Sequence, residues 1–206
     1  LKLVLLGGAP SPRDLLLGAL ERGIPVSQTY GLTEMSSQVT TVPPGATRDQ
    51  AFTSGLPLPG VEIGVAAESG DMGPGVEGEI RVRGSGLFLG YLENGRTHQP
   101  LDADGWFASG DIGRLDAEGW LTVTGRKDNL FISGGENIQP EEIESILLAV
   151  SGVLQAVVVP VADSEFGSRP VAFVETRPGG APIAALRESL AARLPRYKLP
   201  VAFHPW

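Results

Sequence analysis

The chain has 206 residues, of which 42% are hydrophobic and 19% charged, so it is expected to bury a core as one large domain or two small ones. Its formal net charge of −8 argues against nucleic acid as a main partner, because a phosphate backbone attracts basic surfaces. No apolar run is long enough to span a membrane, and the absence of cysteine excludes disulfides, thiolate metal sites and cysteine nucleophiles.

The first fifty residues have the pattern of a βαβ unit. An apolar run at residues 1–6 predicts a buried strand, a Ser-Pro pair then starts a helix, and a second strand is predicted at residues 24–28. Ligands of such sheets bind beyond the carboxyl ends of the strands. The segments that follow the two strands, residues 7–10 and the polar loop 29–38, are therefore expected to lie at a ligand site.

Residues 51–127 change to a period-two alternation that Gly and Pro interrupt, which is typical of short antiparallel strands. For example, Ile80 and Val82 are predicted to face one side of a strand, while Arg81 and Arg83 face the other. We expect this region to form a small antiparallel sheet or β-barrel.

Residues 128–206 alternate predicted strands with amphipathic helices. Pro140 suits the first position of one helix, and Ile183 is assigned to the apolar face of another. This order predicts a small α+β domain. The predicted fold class is therefore α/β and α+β. It combines the end of a large αβ domain, with a βαβ unit at 1–50 and a β-barrel at 51–127, and a small C-terminal domain at 128–206.

Thr33 and Glu34 are the first candidates for chemistry. A threonine hydroxyl can bond a phosphate oxygen, and a neighbouring carboxylate can hold Mg²⁺, a hard cation that prefers oxygen ligands. The alternative is structural, because Thr followed by an acidic residue is also typical of a helix N-cap and first turn. The local sequence leaves both interpretations open.

Three further groups of residues have a chemical and a structural interpretation. Asp111 follows a glycine and can accept hydrogen bonds from ribose hydroxyls, although aspartate after glycine is also common in turns. Arg126 can reach a ribose or a phosphate, or belong to a solvated charge cluster. Gly134 and Gly135 can let the backbone approach a ligand closely, or simply form a hairpin turn.

Three stretches occur in a fixed order: YGLTE at 30–34, GWFASGD at 105–111 and GRKDNLFISGGENIQPEEIE at 125–144. Together they resemble the adenylate-forming superfamily, which includes acyl- and aryl-CoA synthetases, luciferases and the adenylation domains of peptide synthetases. Within it, Gln139 and the run EFGSRPVA at 165–172 are most similar to the o-succinylbenzoate–CoA ligases of menaquinone biosynthesis.

The resemblance implies a two-step reaction. A carboxylic acid attacks the α-phosphate of Mg·ATP to give an acyl-adenylate and pyrophosphate, and the thiol of CoA then displaces AMP. Thr33 is implied to contact phosphate and Glu34 to bind Mg²⁺, both as catalytic residues. The residues implied to bind ATP or AMP are Gly8, Ala9, Pro10, Tyr30, Gly31, Asp111 and Arg126.

The remaining site residues are also implied by the resemblance alone. Those that border the acid are Ser36, Ser37 and Gln38. Those that reach the CoA channel in the second step are Gly134, Gly135 and Glu136. Asp128 corresponds to the hinge about which the small domain swings between the two steps.

The implied partners are a small carboxylic acid, ATP and CoA in the cytoplasm, with oligomerisation left open. By the same resemblance, the phosphate loop and the catalytic lysine of the family lie outside residues 1–206. We therefore expect a fragment that is inactive alone. Two alternatives stay open: a CoA ligase for another aryl or fatty acid, and a non-catalytic nucleotide-binding fragment.

Overall fold

The computed structural model describes residues 1–9, 11–67 and 72–206. These residues separate into two compact units, Leu1–Thr124 and Gly125–Trp206. The predicted domain boundary, between residues 127 and 128, falls just inside the second unit, and the functional meaning of this division remains a prediction. Pro10, one of the predicted nucleotide-binding residues, lies outside the described residues.

The first unit contains one α-helix and ten β-strands among its described residues. The elements in chain order are β1 (Val4–Leu6), α1 (Arg13–Glu21), β2 (Val26–Leu32), β3 (Ser37–Thr41), β4 (Leu56–Pro57), β5 (Val61–Ala66), β6 (Glu77–Gly84), β7 (Tyr91–Glu93), β8 (Arg96–His98), β9 (Phe107–Leu115) and β10 (Leu121–Arg126). Short 3₁₀ helices cover Thr33–Met35 and Gln50–Phe52. The last strand, β10, runs across the boundary into the second unit.

The predicted βαβ unit is present, because β1 and β2 pair in parallel and α1 lies between them in the chain. Two details differ from the prediction. The helix begins at Arg13 with Pro12 as its N-cap residue, and no side chain caps it. The polar stretch 29–38 is not a loop, since β2 continues to Leu32 and β3 begins at Ser37, antiparallel to it.

The period-two alternation of the middle region correctly predicted a set of antiparallel strands. In β6, Ile80 and Val82 are fully buried, whereas Arg81 and Arg83 form ion pairs with Asp102 and Glu62. The sheet has four strands in the order β10-β9-β6-β5, and β6 is antiparallel to both neighbours. A closed barrel is not confirmed, because this sheet does not close on itself within the described ranges.

The second unit is a small α+β assembly. Its elements are β11 (Phe131–Ser133), β12 (Glu136–Ile138), α2 (Pro140–Leu148), β13 (Val153–Asp163), β14 (Gly167–Thr176), α3 (Ile183–Ala191) and β15 (Ala202–Pro205), with 3₁₀ helices at Lys127–Asn129 and Arg196–Lys198. The order β13-β14-β15 combines an antiparallel and a parallel pair.

The helices of the second unit pack their apolar faces on this sheet. In α2, Pro140 occupies the first turn as predicted, and Ile143 and Leu147 are fully buried. In α3, Leu186 and Leu190 belong to the same core, but Ile183 is 52% exposed because it is the first residue of the helix. Across the described ranges, no helix combines the length and the hydropathy that a membrane crossing requires.

Candidate functional site

An open cleft of about 600 Å³ lies beside the β2–β3 hairpin in the first unit. The residues that line it are Gly7, Gly8, Thr29, Gly31, Leu32, Thr33, Ser36, Ser37 and Gln38. This set includes six of the residues that the sequence assigned to nucleotide, phosphate or acid. The segment after β1 and the segment after β2 therefore meet at one site, as expected for parallel neighbouring strands.

The hairpin turn has an unusual backbone that depends on Gly31. The register of β2 and β3 shifts between Tyr30 and Gly31, and a Cβ at Gly31 would lie 2.1 Å from the carbonyl oxygen of Ser37. Ser36 and Ser37 have positive φ angles of 61° and 145°, which residues other than glycine rarely adopt. Strained backbone of this kind clusters at ligand sites, where the surrounding structure holds it in place.

Thr33 and Glu34 lie at the tip of this turn. Thr33 is exposed and begins a 3₁₀ helix whose N-cap residue is Leu32, with no side-chain cap, so the interpretation of Thr33 as an N-cap is wrong. Glu34 is half-buried, and its Oε1 accepts a hydrogen bond of 2.7 Å from the Tyr91 hydroxyl. This hydrogen bond raises the pKa of Tyr91 above its usual value, because it favours the protonated phenol.

Asp111 lies inside β9, so the interpretation of it as an ordinary turn residue is wrong. Its Oδ2 accepts a hydrogen bond of 2.6 Å from the Tyr30 hydroxyl, which joins two predicted nucleotide-binding residues that are far apart in the chain. Its backbone N–H donates to Ser109 Oγ at 3.1 Å, and Ser109 in turn donates to the carbonyl of Ile80 at 2.8 Å. Asp111 is thus anchored to the centre of the four-stranded sheet.

The structure places Gly134 and Gly135 in the two-residue turn between β11 and β12, so the hairpin interpretation is correct. Both have positive φ, 59° and 87°. Gly134 donates its N–H to the carbonyl of Phe166 at 2.9 Å, and a Cβ at Gly134 would lie 2.8 Å from the Phe166 ring. Gly134, Gly135 and the neighbouring Glu136 are all exposed.

The Phe166 segment is itself fixed by Asp163. Its Oδ1 accepts hydrogen bonds from the backbone N–H groups of Phe166 at 2.8 Å and Glu165 at 2.9 Å. These bonds lower the pKa of Asp163, because they favour the charged carboxylate. The run at 165–172 that carried the resemblance therefore supports the glycine turn in the second unit.

Arg126 and Asp128 lie close together at the start of the second unit, where Arg126 Nη2 is 3.3 Å from Asp128 Oδ2. Sequence reasoning missed a network beside them. Gln139 Nε2 donates to the Arg126 carbonyl at 2.9 Å and to Glu141 Oε2 at 2.5 Å. Glu141 Oε1 accepts from Asn129 at 2.5 Å. Gln139 therefore ties the segment around the predicted hinge to the start of α2.

Glu34 is the residue predicted to bind Mg²⁺, and its surroundings fit that ion. No group of three or more His, Cys, Asp or Glu side chains in the described residues is placed to hold a metal. Mg²⁺ in nucleotide-using sites is commonly held by one or two carboxylates together with substrate phosphates and water. Tyr91 bonds one oxygen of Glu34, and in the part of the chain that the structure describes no donor is assigned to Oε2.

Sequence comparison places the chain in a known class. Residues 1–92 match the family described as AMP-binding enzyme, and residues 142–205 match the AMP-binding enzyme C-terminal domain. Together the two matches cover about three quarters of the chain. Both matches are to AMP-binding enzymes, the class that the motifs of the sequence resemble.

Among its relatives, the 2-succinylbenzoate–CoA ligase of Geobacillus kaustophilus is 40% identical over 98% of this chain and 41% of its own length. The o-succinylbenzoate–CoA synthetase of Bacillus subtilis, solved with the acyl-adenylate OSB-AMP, has a TM-score of 0.90 at 36% identity, covering all of this chain and 42% of that protein. The same enzyme solved with ATP and magnesium ion has a TM-score of 0.86 at 36% identity, over 99% and 42%. The chain thus spans about two fifths of the length of the relatives it matches.

Most of the predicted site residues of the first unit are brought together. In that unit, sequence reasoning missed Tyr91, the hydrogen-bond partner of Glu34. Arg126, Asp128 and the glycine turn belong to the second unit and form a separate group there. Tyr91 directly follows Gly90 in the sequence. No local pattern links Tyr91 to Glu34, which lies 57 residues earlier.

Proposed function

We propose that this chain carries the nucleotide-binding part and the small domain of an ATP-dependent carboxylic acid–CoA ligase that works through an acyl-adenylate. The observation that supports this most is the cleft beside the hairpin of β2 and β3, where Thr33 lies with the predicted acid residues. Glu34 follows Thr33 in the same turn and is held by Tyr91. The similarity to an enzyme solved with its acyl-adenylate extends over the whole chain.

In this proposal, the first unit binds the nucleotide. Asp111 accepts hydrogen bonds from the ribose hydroxyls, and Tyr30 holds the Asp111 side chain in place. Gly8, Ala9 and Pro10 with Gly31 border the adenine and the acyl group. Gly8 lines the cleft, and because it has no Cβ its backbone can approach a ligand closely. Arg126 is the remaining residue assigned to ATP or AMP. Asp111 lies in the four-stranded sheet β10-β9-β6-β5, which we propose to be part of a small barrel. The support is an antiparallel bridge between Leu121 of β10 and Gly55, the residue before β4.

Adenylation concentrates negative charge on phosphate oxygens, so the chain has to supply donors and a cation site. Thr33 offers an exposed hydroxyl to phosphate, and Glu34 offers a carboxylate oxygen to Mg²⁺. When bound, the metal ion neutralises phosphate charge and orients the oxygens for an in-line attack. Ser36, Ser37 and Gln38 line the same cleft and are assigned to the acid.

The second unit is assigned to thioester formation. Gly134 and Gly135 form an exposed turn that a hydrogen bond from Gly134 to Phe166 fixes, so a thiol can pass close to these two residues without a side chain in the way. Glu136, the exposed first residue of β12, is assigned to the same channel. CoA is therefore the proposed second substrate. We place the enzyme in the cytoplasm, where ATP and CoA are available. We assign the acid as 2-succinylbenzoate, the acid that the names of its relatives give.

The test is an acid panel with the full-length gene product that contains this sequence. Exchange of labelled pyrophosphate into ATP reports the first step, and thioester appearance reports the second. We expect 2-succinylbenzoate to support both at the highest kcat/KM. A higher value with another aryl or fatty acid would reassign the substrate and keep the class. No exchange with any acid, while nucleotide still binds, would favour the non-catalytic alternative.

Asp128 is proposed as the hinge between the two steps. A hinge requires backbone dihedrals that change, and proline fixes φ near −65°. Asp128→Pro should therefore let adenylate form while thioester formation falls steeply. Pyrophosphate release and thioester product, measured in one single-turnover sample, check this. Equal losses in both steps, or a loss in neither, would place the hinge elsewhere.

A further inference from the structure

We propose that Tyr91 is a positioning residue for Glu34, whose carboxylate it holds by one oxygen so that the other is available to Mg²⁺. The inference rests on the proposed function, which gives Glu34 its metal. The Tyr91 hydroxyl donates to Glu34 Oε1 at 2.7 Å, the usual length of an O–H···O hydrogen bond. Tyr91 is not part of any motif that the sequence assigned to ATP, acid or CoA.

The Tyr91 ring is held by aromatic contacts, so its hydroxyl has a defined position. Phe88 meets the Tyr91 ring edge to face with centroids 4.8 Å apart. Phe88 meets the buried ring of Phe107 in the same manner at 5.6 Å. Such pairs contribute beyond their buried area and fix the mutual orientation of the rings. The position of the hydroxyl is thereby linked to β9, the strand that carries Asp111.

The same chain segment also holds the backbone of the Glu34 turn. Phe88 donates its N–H to the carbonyl of Glu34 at 2.7 Å. Gln99 donates to the Phe88 carbonyl at 2.7 Å, which closes the base of the β7–β8 hairpin. Ser36 donates its hydroxyl to the carbonyl of Gly86 at 2.9 Å. Glu34 is therefore held at its main chain and at its side chain by one segment, residues 86–99.

This arrangement matters because Mg²⁺ demands nearly ideal octahedral geometry and tolerates misplaced ligands poorly. A glutamate side chain without such a partner samples several rotamers, and fixing them costs entropy each time the metal ion binds. A hydrogen bond that fixes the carboxylate beforehand removes that cost. Removing a residue that hydrogen-bonds a metal ligand lowers the affinity for the metal by about 10- to 100-fold.

The test compares Tyr91→Phe with the wild-type full-length gene product, since this change removes only the hydroxyl. Mn²⁺ serves as the probe, and its electron paramagnetic resonance signal gives the affinity for the protein–ATP complex after subtraction of binding to ATP alone. We expect about tenfold weaker Mn²⁺ binding. The Mg²⁺ concentration for half-maximal pyrophosphate exchange should rise by a similar factor, while KM for the acid stays unchanged.

A double-mutant cycle with Glu34→Gln separates positioning from a structural role. If Tyr91 acts through Glu34, Tyr91→Phe has little further effect on Mn²⁺ binding in the Glu34→Gln background. An equal loss in both backgrounds, or a fall in thermal stability with unchanged Mn²⁺ affinity, overturns the proposal. Tyr197→Phe, which removes the same hydroxyl in the second unit, is the matched control and should leave Mn²⁺ binding unchanged.

The cycle also distinguishes this proposal from the proposed function. A wild-type protein that forms no adenylate with any acid overturns both, because Glu34 then has no metal-dependent reaction to serve. If the wild-type protein forms adenylate, but Tyr91→Phe and Glu34→Gln weaken Mn²⁺ binding independently, only the role of Tyr91 is overturned. Weaker Mn²⁺ binding that requires Glu34 supports Tyr91 as its positioning residue.

Discussion

The β2–β3 turn of the first unit and the β11–β12 turn of the second achieve a defined shape by different means. In the first, the Tyr91 hydroxyl donates to the carboxylate of Glu34 in the turn, and the Tyr30 hydroxyl of β2 donates to the carboxylate of Asp111 in β9. In the second, two glycines adopt positive φ, and a backbone hydrogen bond to Phe166 holds them. The first turn therefore presents charges at fixed positions, whereas the second presents backbone and open space.

This difference matches the two kinds of chemistry that we propose. Phosphoryl-type transfer needs charge stabilisation that is already oriented before the reaction, because reorienting dipoles during the reaction costs free energy. Passage of a long thiol substrate needs room and a backbone that does not obstruct it. Substitutions that disturb charge should therefore act on the first step, and substitutions that add volume at the glycine turn should act on the second.

Gly31→Ala should have the largest effect on the first turn. The added Cβ would lie 2.1 Å from the Ser37 carbonyl oxygen, so β2 and β3 would have to separate. Overpacking of this kind costs about 1–3 kcal/mol of stability, and a misplacement of about 1 Å at a reacting centre can cost about 100-fold in rate. Pyrophosphate exchange and the unfolding midpoint of the full-length gene product measure both quantities.

Gly73→Ala is the matched control for this substitution, because a Cβ at Gly73 would meet nothing within 4 Å. It should leave exchange and stability close to those of the wild type. If Gly31→Ala behaves in the same way, the backbone of the turn adapts freely. Its strained shape would then not be required for adenylation.

Asp111→Asn should have the next largest effect, because it removes charge and one acceptor while the side chain keeps its size. A charge-assisted hydrogen bond contributes roughly 1.5–3 kcal/mol, so kcat/KM for ATP should fall about tenfold or more. Asp116→Asn is the control, since Asp116 is a genuine turn residue that accepts from the N–H groups of Glu118 and Trp120 at 2.9 Å. Equal kcat/KM values for the two variants would show that Asp111 does not contact ATP.

The sequence predicted best what depends on local pattern. Ile80 and Val82 were assigned to the buried side of β6 because side chains alternate along a strand, and Pro140 was assigned to a helix start because its ring suits the first turn. The polar stretch 29–38 was predicted as a loop, but it is mostly β-hairpin. Its hydroxyls and amides are accommodated because one side of the hairpin faces the open cleft.

The sequence could not reveal contacts that depend on tertiary packing. Tyr91 reaches Glu34 only because Phe88 docks on both Phe107 and the Glu34 main chain, and no periodicity encodes that meeting. The positive φ angles of Ser36 and Ser37 were equally hidden, since glycine is the usual sign of such a backbone. The motifs located most of the candidate site, whereas the residues that orient it became apparent from the fold.

Gly134→Ala should have a smaller effect, confined to the second step. A residue with a Cβ in the left-handed region costs roughly 1 kcal/mol, which corresponds to about fivefold in rate, and this Cβ would also meet the Phe166 ring at 2.8 Å. Thioester formation should fall about fivefold or more while pyrophosphate exchange is retained. Gly135→Ala adds a Cβ at a positive φ with nothing within 4 Å, so it isolates the backbone cost.

Phe166→Ala tests the steric part of this prediction. In the Gly134→Ala background it should restore part of the thioester rate, because it removes the ring that the new Cβ meets. A fall in pyrophosphate exchange as large as the fall in thioester formation would contradict the assignment of this turn to the second step.

Glu144→Gln should have the smallest effect, on stability alone, because this carboxylate of the second unit supports the fold. Its Oε1 accepts the Val158 N–H at 2.7 Å, and burial raises its pKa above the ordinary 4.5. A raised pKa means that the folded state binds the proton more tightly, so wild-type stability declines as pH rises from about 4.5 through the folded pKa. Gln keeps an acceptor and carries no charge, so the variant should lack this decline. Unfolding midpoints of the wild type and the variant, measured across that pH window, check this prediction. Glu188→Gln, on the exposed face of α3, is the control. An equal loss of stability at every pH would contradict the prediction.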